Sequence, residues 1–169
     1  YSFPSRRSSD WKRKSVHGTE VGSISGAIPP VVGYIAVTGS LDITSGILFI
    51  LLVLWQMPHF YAIGIFRLRE YKAAGLPVLP VVKGTVLAKR YIVFYVLAYT
   101  AAIPFLYFFS YASRSYLIAM SVVCAYWLWQ GIDNFRKNSD DKWARKMFGV
   151  SLIVLLAFSI TLSLNAWLP

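Results

Sequence analysis

The sequence predicts an all-α membrane protein with five transmembrane helices. Three observations carry that prediction: an apolar composition with few charges, five apolar runs of membrane length, and basic residues gathered in alternate connections. Of the 169 residues, 57% are hydrophobic, 17% aromatic and 14% charged, and mean hydropathy is +0.55. Soluble domains carry about 25% charged residues, so the shortage points to a chain whose solvent is the lipid bilayer. The net charge of +10 raises nucleic acid as a partner. The placement of the cations in short loops argues against it, because topology signals are laid out in that way.

The five runs cover about 20–37, 43–66, 91–109, 115–132 and 147–168. Each has roughly 18–24 residues, enough at 1.5 Å per residue to cross a ~30 Å hydrocarbon core. None alternates as a strand would, and a backbone in lipid must satisfy its own hydrogen bonds, so each is read as a helix. The first is rich in Gly, Ser and Ala. Its Pro29 and Pro30 are expected to break the hydrogen-bond ladder near mid-membrane, with the freed carbonyls meeting another helix or a cavity. Its small residues Gly22, Ser23, Ser25, Gly26, Ala27 and Gly33 would permit close helix approach. Tyr107, Phe108, Phe109, Tyr111 and Tyr116 read as an interfacial aromatic belt. Cys124, the single cysteine, reads as a buried packing residue.

The connections alternate in charge. Lys12, Arg13 and Lys14 precede the first helix, and residues 38–42 hold no Lys or Arg. The second connection carries Arg67, Arg69, Lys72, Lys83, Lys89 and Arg90; the third has only Arg114. The fourth has Arg136, Lys137, Lys142, Arg145 and Lys146. The positive-inside rule then places the N-terminal side and the second and fourth connections in the cytoplasm, and the C-terminus outside. The second connection exceeds 20 residues and mixes Pro, Val, Leu and Tyr, which suits an ordered element lying over the bundle better than disorder. Ser139-Asp140-Asp141 reads as a solvated cap on a short amphipathic lead-in to the last helix. Residues 1–10 resemble the translation of a sequencing-adapter read-through; the alternative is a genuine basic tail, and only 11–169 bear on the fold.

Two groups of residues could carry chemistry. His59 lies inside the second apolar run, in Trp55-Gln56-Met57-Pro58-His59-Phe60. An imidazole at that depth could ligate a haem iron, relay a proton, or simply bond to a neighbouring helix. If the helix continued to residue 70, Glu70 would fall within about 20° of His59's face, with Ile63 and Phe66 completing the stripe. The second group is cationic. Arg67, Arg69, Lys72 and Lys83 could hold a diphosphate, Arg as a fork and Lys as a point charge. Glu70 could share Mg²⁺ with that diphosphate. The competing reading is that these cations only fix orientation and meet lipid headgroups.

At these residues the chain resembles the intramembrane UbiA-type prenyltransferases, in the branch that farnesylates haem B. The resemblance runs from about Lys12 to the C-terminus. It is carried by Lys12-Arg13, residues 22–34 (GSISGAIPPVVGY), 36–39 (AVTG), 54–63 (LWQMPHFYAI), 74–84 (AGLPVLPVVKG) and 143–149 (WARKMFG). It implies membership in a nine-helix bundle of the inner membrane that moves the farnesyl group of farnesyl diphosphate to a vinyl group of haem B, giving haem O. It further implies Mg²⁺ with the diphosphate, and contact with haem A synthase or terminal-oxidase assembly. By position it makes His59 the haem-contacting residue. It makes Arg67, Arg69, Lys72 and Lys83, with Lys12 and Arg13, the partners of diphosphate or propionate. Glu70 stands where the family usually has Asp, as a catalytic and metal-binding candidate beside Arg67 and Arg69. The family's first Asp-rich motif is absent from the chain, so the chain on its own is expected to be inactive. Alternatives are a UbiA-type enzyme acting on an aromatic acid or quinone precursor, and a transporter or oxidase assembly subunit.

Overall fold

The computed structural model describes residues 18–133, 135 and 139–165, with side chains from residue 22 onward. The adapter-like stretch 1–10 and the cations Lys12 and Arg13 lie outside the described residues. The elements are α1 (Gly18–Thr38), α2 (Ile43–Phe66), α3 (Leu68–Ala73), α4 (Leu79–Val82), α5 (Thr85–Ala102), α6 (Pro104–Phe108), α7 (Arg114–Asp133) and α8 (Asp140–Ser163). Four spans are long and apolar enough to cross a membrane: α2, the joined α5–α6 segment Thr85–Phe108, α7 and α8. The first helix contributes a shorter apolar stretch, Gly22–Thr38. Among the described residues there is no strand.

Helix α2 is the shared wall of the bundle. It packs against α1, α5 and α8, and α7 closes a ring against α5 and α8. Its bounds match the predicted 43–66, and the local chemistry explains both ends. Asp42 is the N-cap: its Oδ1 accepts the Ser45 N–H at 3.0 Å, and that bond holds the carboxyl below its ordinary pKa. The Tyr34 hydroxyl donates to Asp42 Oδ2 at 2.8 Å, tying the end of α1 to the start of α2. At the other end Arg67 leaves helical geometry, with φ −102° and ψ 21°.

Helix α1 runs through both Pro29 and Pro30, so the interruption they make is in the hydrogen-bond ladder and not in the helix itself. Proline's fixed φ is itself helical, so the pair removes two donors without ending the helix. Among the described residues α1 approaches α2 closely at one glycine, Gly26, where an added Cβ would clash with Gln56 Oε1. Ser23 and Ala27 are buried beside it, whereas a Cβ on Gly22 or Gly33 would meet nothing within 4 Å. The predicted aromatic belt also needs correcting at Tyr116, which is fully buried with its ring 6.3 Å from Phe158. Phe108, Phe109 and Tyr111 are exposed.

The largest differences from prediction lie at the charged end. Helix α5 starts at Thr85, not 91, after Gly84 turns the chain at φ +88°, a conformation glycine adopts without a Cβ clash. Lys89, read as a loop cation, is only 3% exposed. Its ammonium donates to the Phe135 carbonyl and to Asp140 Oδ1 at 3.2 Å. The same ammonium lies 4.7 Å from the Phe135 ring centre and 4.9 Å from that of Trp143. The Thr85 hydroxyl donates to Asp140 Oδ2 at 2.5 Å. Asp140 is therefore a tie between α5 and α8 and not a solvated cap. Ser139 stands at the N-cap but makes no side-chain cap bond. The amphipathic lead-in and the last helix form one helix that starts at Asp140 and ends at Ser163, not 147–168. The long second connection is ordered as α3 and α4, and Pro80 of α4 seats against Gly64 of α2.

A charge taken from water costs several kcal/mol unless it is paired. Asp140's side chain is 43% exposed, so solvent screens this pair and the cost of breaking it falls below that of a fully buried one. Lys89→Met should lower stability by about 2 kcal/mol in thermal unfolding in detergent. An unchanged midpoint would show that the tie contributes nothing.

Candidate functional site

Trp55 and His59 stand one turn apart on α2 and so share a face. The Trp55 ring stacks on His59 with centroids 5.0 Å apart and planes at 27°. Phe148 of α8 tilts against the imidazole at 4.7 Å, and Phe60 meets it edge-on at 5.7 Å. His59 Nδ1 lies 2.8 Å from Ser151 Oγ on α8, and the Trp55 Nε1–H donates to the Ser151 carbonyl at 2.8 Å. The ring is thus held between two helices by aromatic faces and one polar contact.

From His59 a line of rings leads to the charged end. Phe148 meets Phe66 in a T-shaped contact at 5.5 Å, and the Arg145 guanidinium lies 4.9 Å from the centre of the Phe66 ring. Phe66 thus joins His59's stripe as expected, through Phe148. Glu70 does not join it. The extrapolation from His59 required a continuous helix, but α2 ends at Phe66 and Glu70 belongs to α3, with its side chain 69% exposed.

Arg145 and Phe66 open onto a cavity of about 550 Å³. Ile65, Arg67, Leu68, Arg69, Glu70, Thr85, Asp140 and Asp141 complete its lining. The structure therefore brings Arg67, Arg69 and Glu70 together. Lys72 and Lys83 are exposed and do not line the cavity. Asp140, Asp141 and Arg145 join from α8, and sequence reading does not place them there. Their signal is faint: Asp141 and Arg145 sit four apart on a helix, a spacing that suggests only a surface pair.

The cavity's charges are largely matched within themselves. Glu70 Oε2 accepts from Arg67 at 3.3 Å, Asp141 Oδ2 accepts from Arg145 at 3.0 Å, and Asp140 is answered from behind by Lys89. Among the described residues Arg69 has no ion-pair partner. Such exposed pairs stabilise by at most about 1 kcal/mol, so an incoming anion can displace the acids cheaply. The acids do not make a metal centre: among the described residues no three His, Cys, Asp or Glu side chains converge to hold an ion. Because these carboxylates do not converge, the described donor set does not fit Mg²⁺ by itself.

Taken together, fold and site define a multi-pass helical membrane protein in which a run of contacting aromatic rings joins a half-buried imidazole to an arginine-bearing mouth. The chain belongs to the UbiA prenyltransferase family, whose model matches residues 8–164. It is 48% identical over 158 residues to the protoheme IX farnesyltransferase of Salmonella arizonae, covering 94% of this chain and 53% of that protein. It is 47% identical over 155 residues to protoheme IX farnesyltransferase 2 of Pseudomonas entomophila, covering 92% and 52%. A similar match, 47% over 159 residues, links it to protoheme IX farnesyltransferase 2 of Chromobacterium violaceum. The chain spans about half the length of the curated relatives it matches. No solved structure matches it.

The pairing of Glu70 with Arg67 makes a signed prediction. If Glu70 is a resting counter-ion, Glu70→Gln should tighten pyrophosphate binding about threefold in calorimetry without divalent metal, since releasing Arg67 is worth about 0.7 kcal/mol. Weaker binding would mean that the carboxylate helps to hold the anion.

Proposed function

We propose that the chain is the haem-binding and part of the diphosphate-binding portion of an enzyme that farnesylates haem B to haem O. One observation carries the reading: His59 sits between Trp55 and Phe148, and the aromatic line from it ends at arginines around the cavity. The relatives' shared name, protoheme IX farnesyltransferase, supports the same substrates.

The chemistry suits haem. Its macrocycle is a flat apolar disc with two propionates on one edge. Aromatic rungs suit the disc, the imidazole suits the iron, and Arg145, Arg67 and Arg69 suit propionate or diphosphate. In the transfer, the bond between the allylic carbon and the diphosphate oxygen breaks, and a new carbon–carbon bond forms to the vinyl group. The cation left beside the macrocycle is quenched by the oxygen of water, with loss of a proton. Charge builds on the departing diphosphate, and preplaced guanidiniums stabilise it where it develops. Lys72 and Lys83 then act outside the cavity, drawing the diphosphate toward it, and Lys12 and Arg13 are proposed as further diphosphate partners. The positive-inside rule puts this mouth on the cytoplasmic face of the inner membrane and the C-terminus on the other. A divalent cation travelling with the diphosphate would need carboxylates beyond the paired ones described.

Two experiments test the reading. The purified chain given haem B and farnesyl diphosphate should form no haem O, because no three of its described acids converge to hold the Mg²⁺ that offsets the leaving charge. Joined in frame behind the first half of the Salmonella arizonae relative, it should form haem O, and His59→Ala in that chimera should lower the rate about 100-fold. A chimera that folds, binds both substrates and gives no product would reject the proposal, as would full activity without the imidazole.

A further inference from the structure

We infer that Ser151 is a positioning residue: it holds His59 as the Nδ1–H tautomer and so presents Nε2 to the haem iron. The inference rests on the haem reading above, although its first half stands on geometry alone.

Ser151 is fully buried. Its Oγ lies 2.6 Å from the Phe148 carbonyl oxygen and 2.8 Å from His59 Nδ1. A hydroxyl has one proton to give, and a carbonyl can only accept. Were the proton turned toward His59, two oxygens would face each other at 2.6 Å with only lone pairs between them. The proton therefore lies toward Phe148, and His59 Nδ1 must be the donor in its contact with Ser151. A neutral imidazole carries a single N–H, so Nε2 is left with its lone pair.

Two further features hold the ring in that pose. A half-turn about its Cβ–Cγ bond would set a carbon against the hydroxyl and forfeit the bond, while Trp55 and Phe148 press on the imidazole from two sides. Ser151 also grips the preceding turn of α2, because its carbonyl accepts the Trp55 Nε1–H at 2.8 Å. One residue of α8 thus fixes both His59 and the indole stacked on it. Imidazoles that bind metals usually donate their other N–H to an oxygen, which orients the ring and strengthens it as a ligand. Ser151 supplies that oxygen here. His59 and Ser151 are 92 residues apart, which is why no sequence pattern announces the pair.

The test uses the chain in lipid nanodiscs with ¹⁵N-labelled histidine, His17→Gln removing the only other imidazole. Without haem, at a pH where imidazole is neutral, His59 should show a protonated Nδ1 and a lone-pair Nε2. A protonated Nε2 overturns the inference, and this readout needs no variant at Ser151. With haem B added, Ser151→Ala should weaken binding about tenfold and lower the Fe(II)–His stretching frequency in Raman spectra. Ser151→Thr, which keeps the hydroxyl, should restore both. An Ala variant with unchanged affinity and frequency overturns the positioning role. The predicted tautomer in a chain that takes up haem equally well as His59→Ala overturns the haem reading instead and leaves the hold of Ser151 on the ring standing.

Discussion

A lysine ammonium in a low-dielectric interior must be answered by opposite charge and hydrogen-bond acceptors, and answering Lys89 fixes how the charged end of this bundle closes. The answer comes from Asp140 and the Phe135 carbonyl, so the start of α8 is anchored to the first turns of α5. Once Asp140 is fixed, the register of the whole helix follows. Ser151 lies eleven residues on, about 16 Å along the axis and within about 20° of the same face. That is where it meets His59. A charge pair at the bundle's mouth thereby sets which residue of α8 reaches the imidazole at depth. The neutral contact below does not have to find its own register.

The same register places Phe148 and Arg145 in sequence between those two points. Phe148 lies three residues before Ser151 and touches both His59 and Phe66; Arg145 lies three before Phe148 and covers Phe66. Polarity rises along this line. At depth the contacts are aromatic faces and one hydroxyl, at the mouth guanidiniums and carboxylates. A planar apolar molecule with acidic substituents on one edge would find each part matched in turn, which is the physical basis of the haem reading.

How much of this can be read from sequence depends on separation along the chain. The ends of α2 are legible because both signals are local: Asp42 at the cap and the polar run after Phe66. His59 is legible because an ionisable residue in an apolar run is costly and stands out. The start of α5 is not, because Lys89 and Arg90 look like loop cations, and only the fold reveals that Asp140, 51 residues away, neutralises the first. Asp140 passes for a cap for the same reason. The link from His59 to Glu70 fails on backbone geometry: helical phase carries information only while the helix lasts, and at Arg67 it stops. Pro29 and Pro30 are legible as lost donors, but a missing donor is a local loss that an otherwise helical path survives, so α1 continues past them.

The pairing pattern at the mouth bears on how an anion would enter. Arg67 and Arg145 are each held by an acid within the same local segment, at i,i+3 and i,i+4, with more than half of every side chain in solvent. Such pairs keep a guanidinium oriented at little cost in stability. A diphosphate carries more charge than one carboxylate and can accept both prongs of an arginine. It can therefore take the place of Glu70 or Asp141 without leaving an unpaired charge in the interior, because the displaced acid turns to water. Asp140 is different. Its partner Lys89 is buried, and removing the acid would strand the ammonium. Of the three acids around the cavity, two are exchangeable and one is structural, and that division follows from the exposure of their partners.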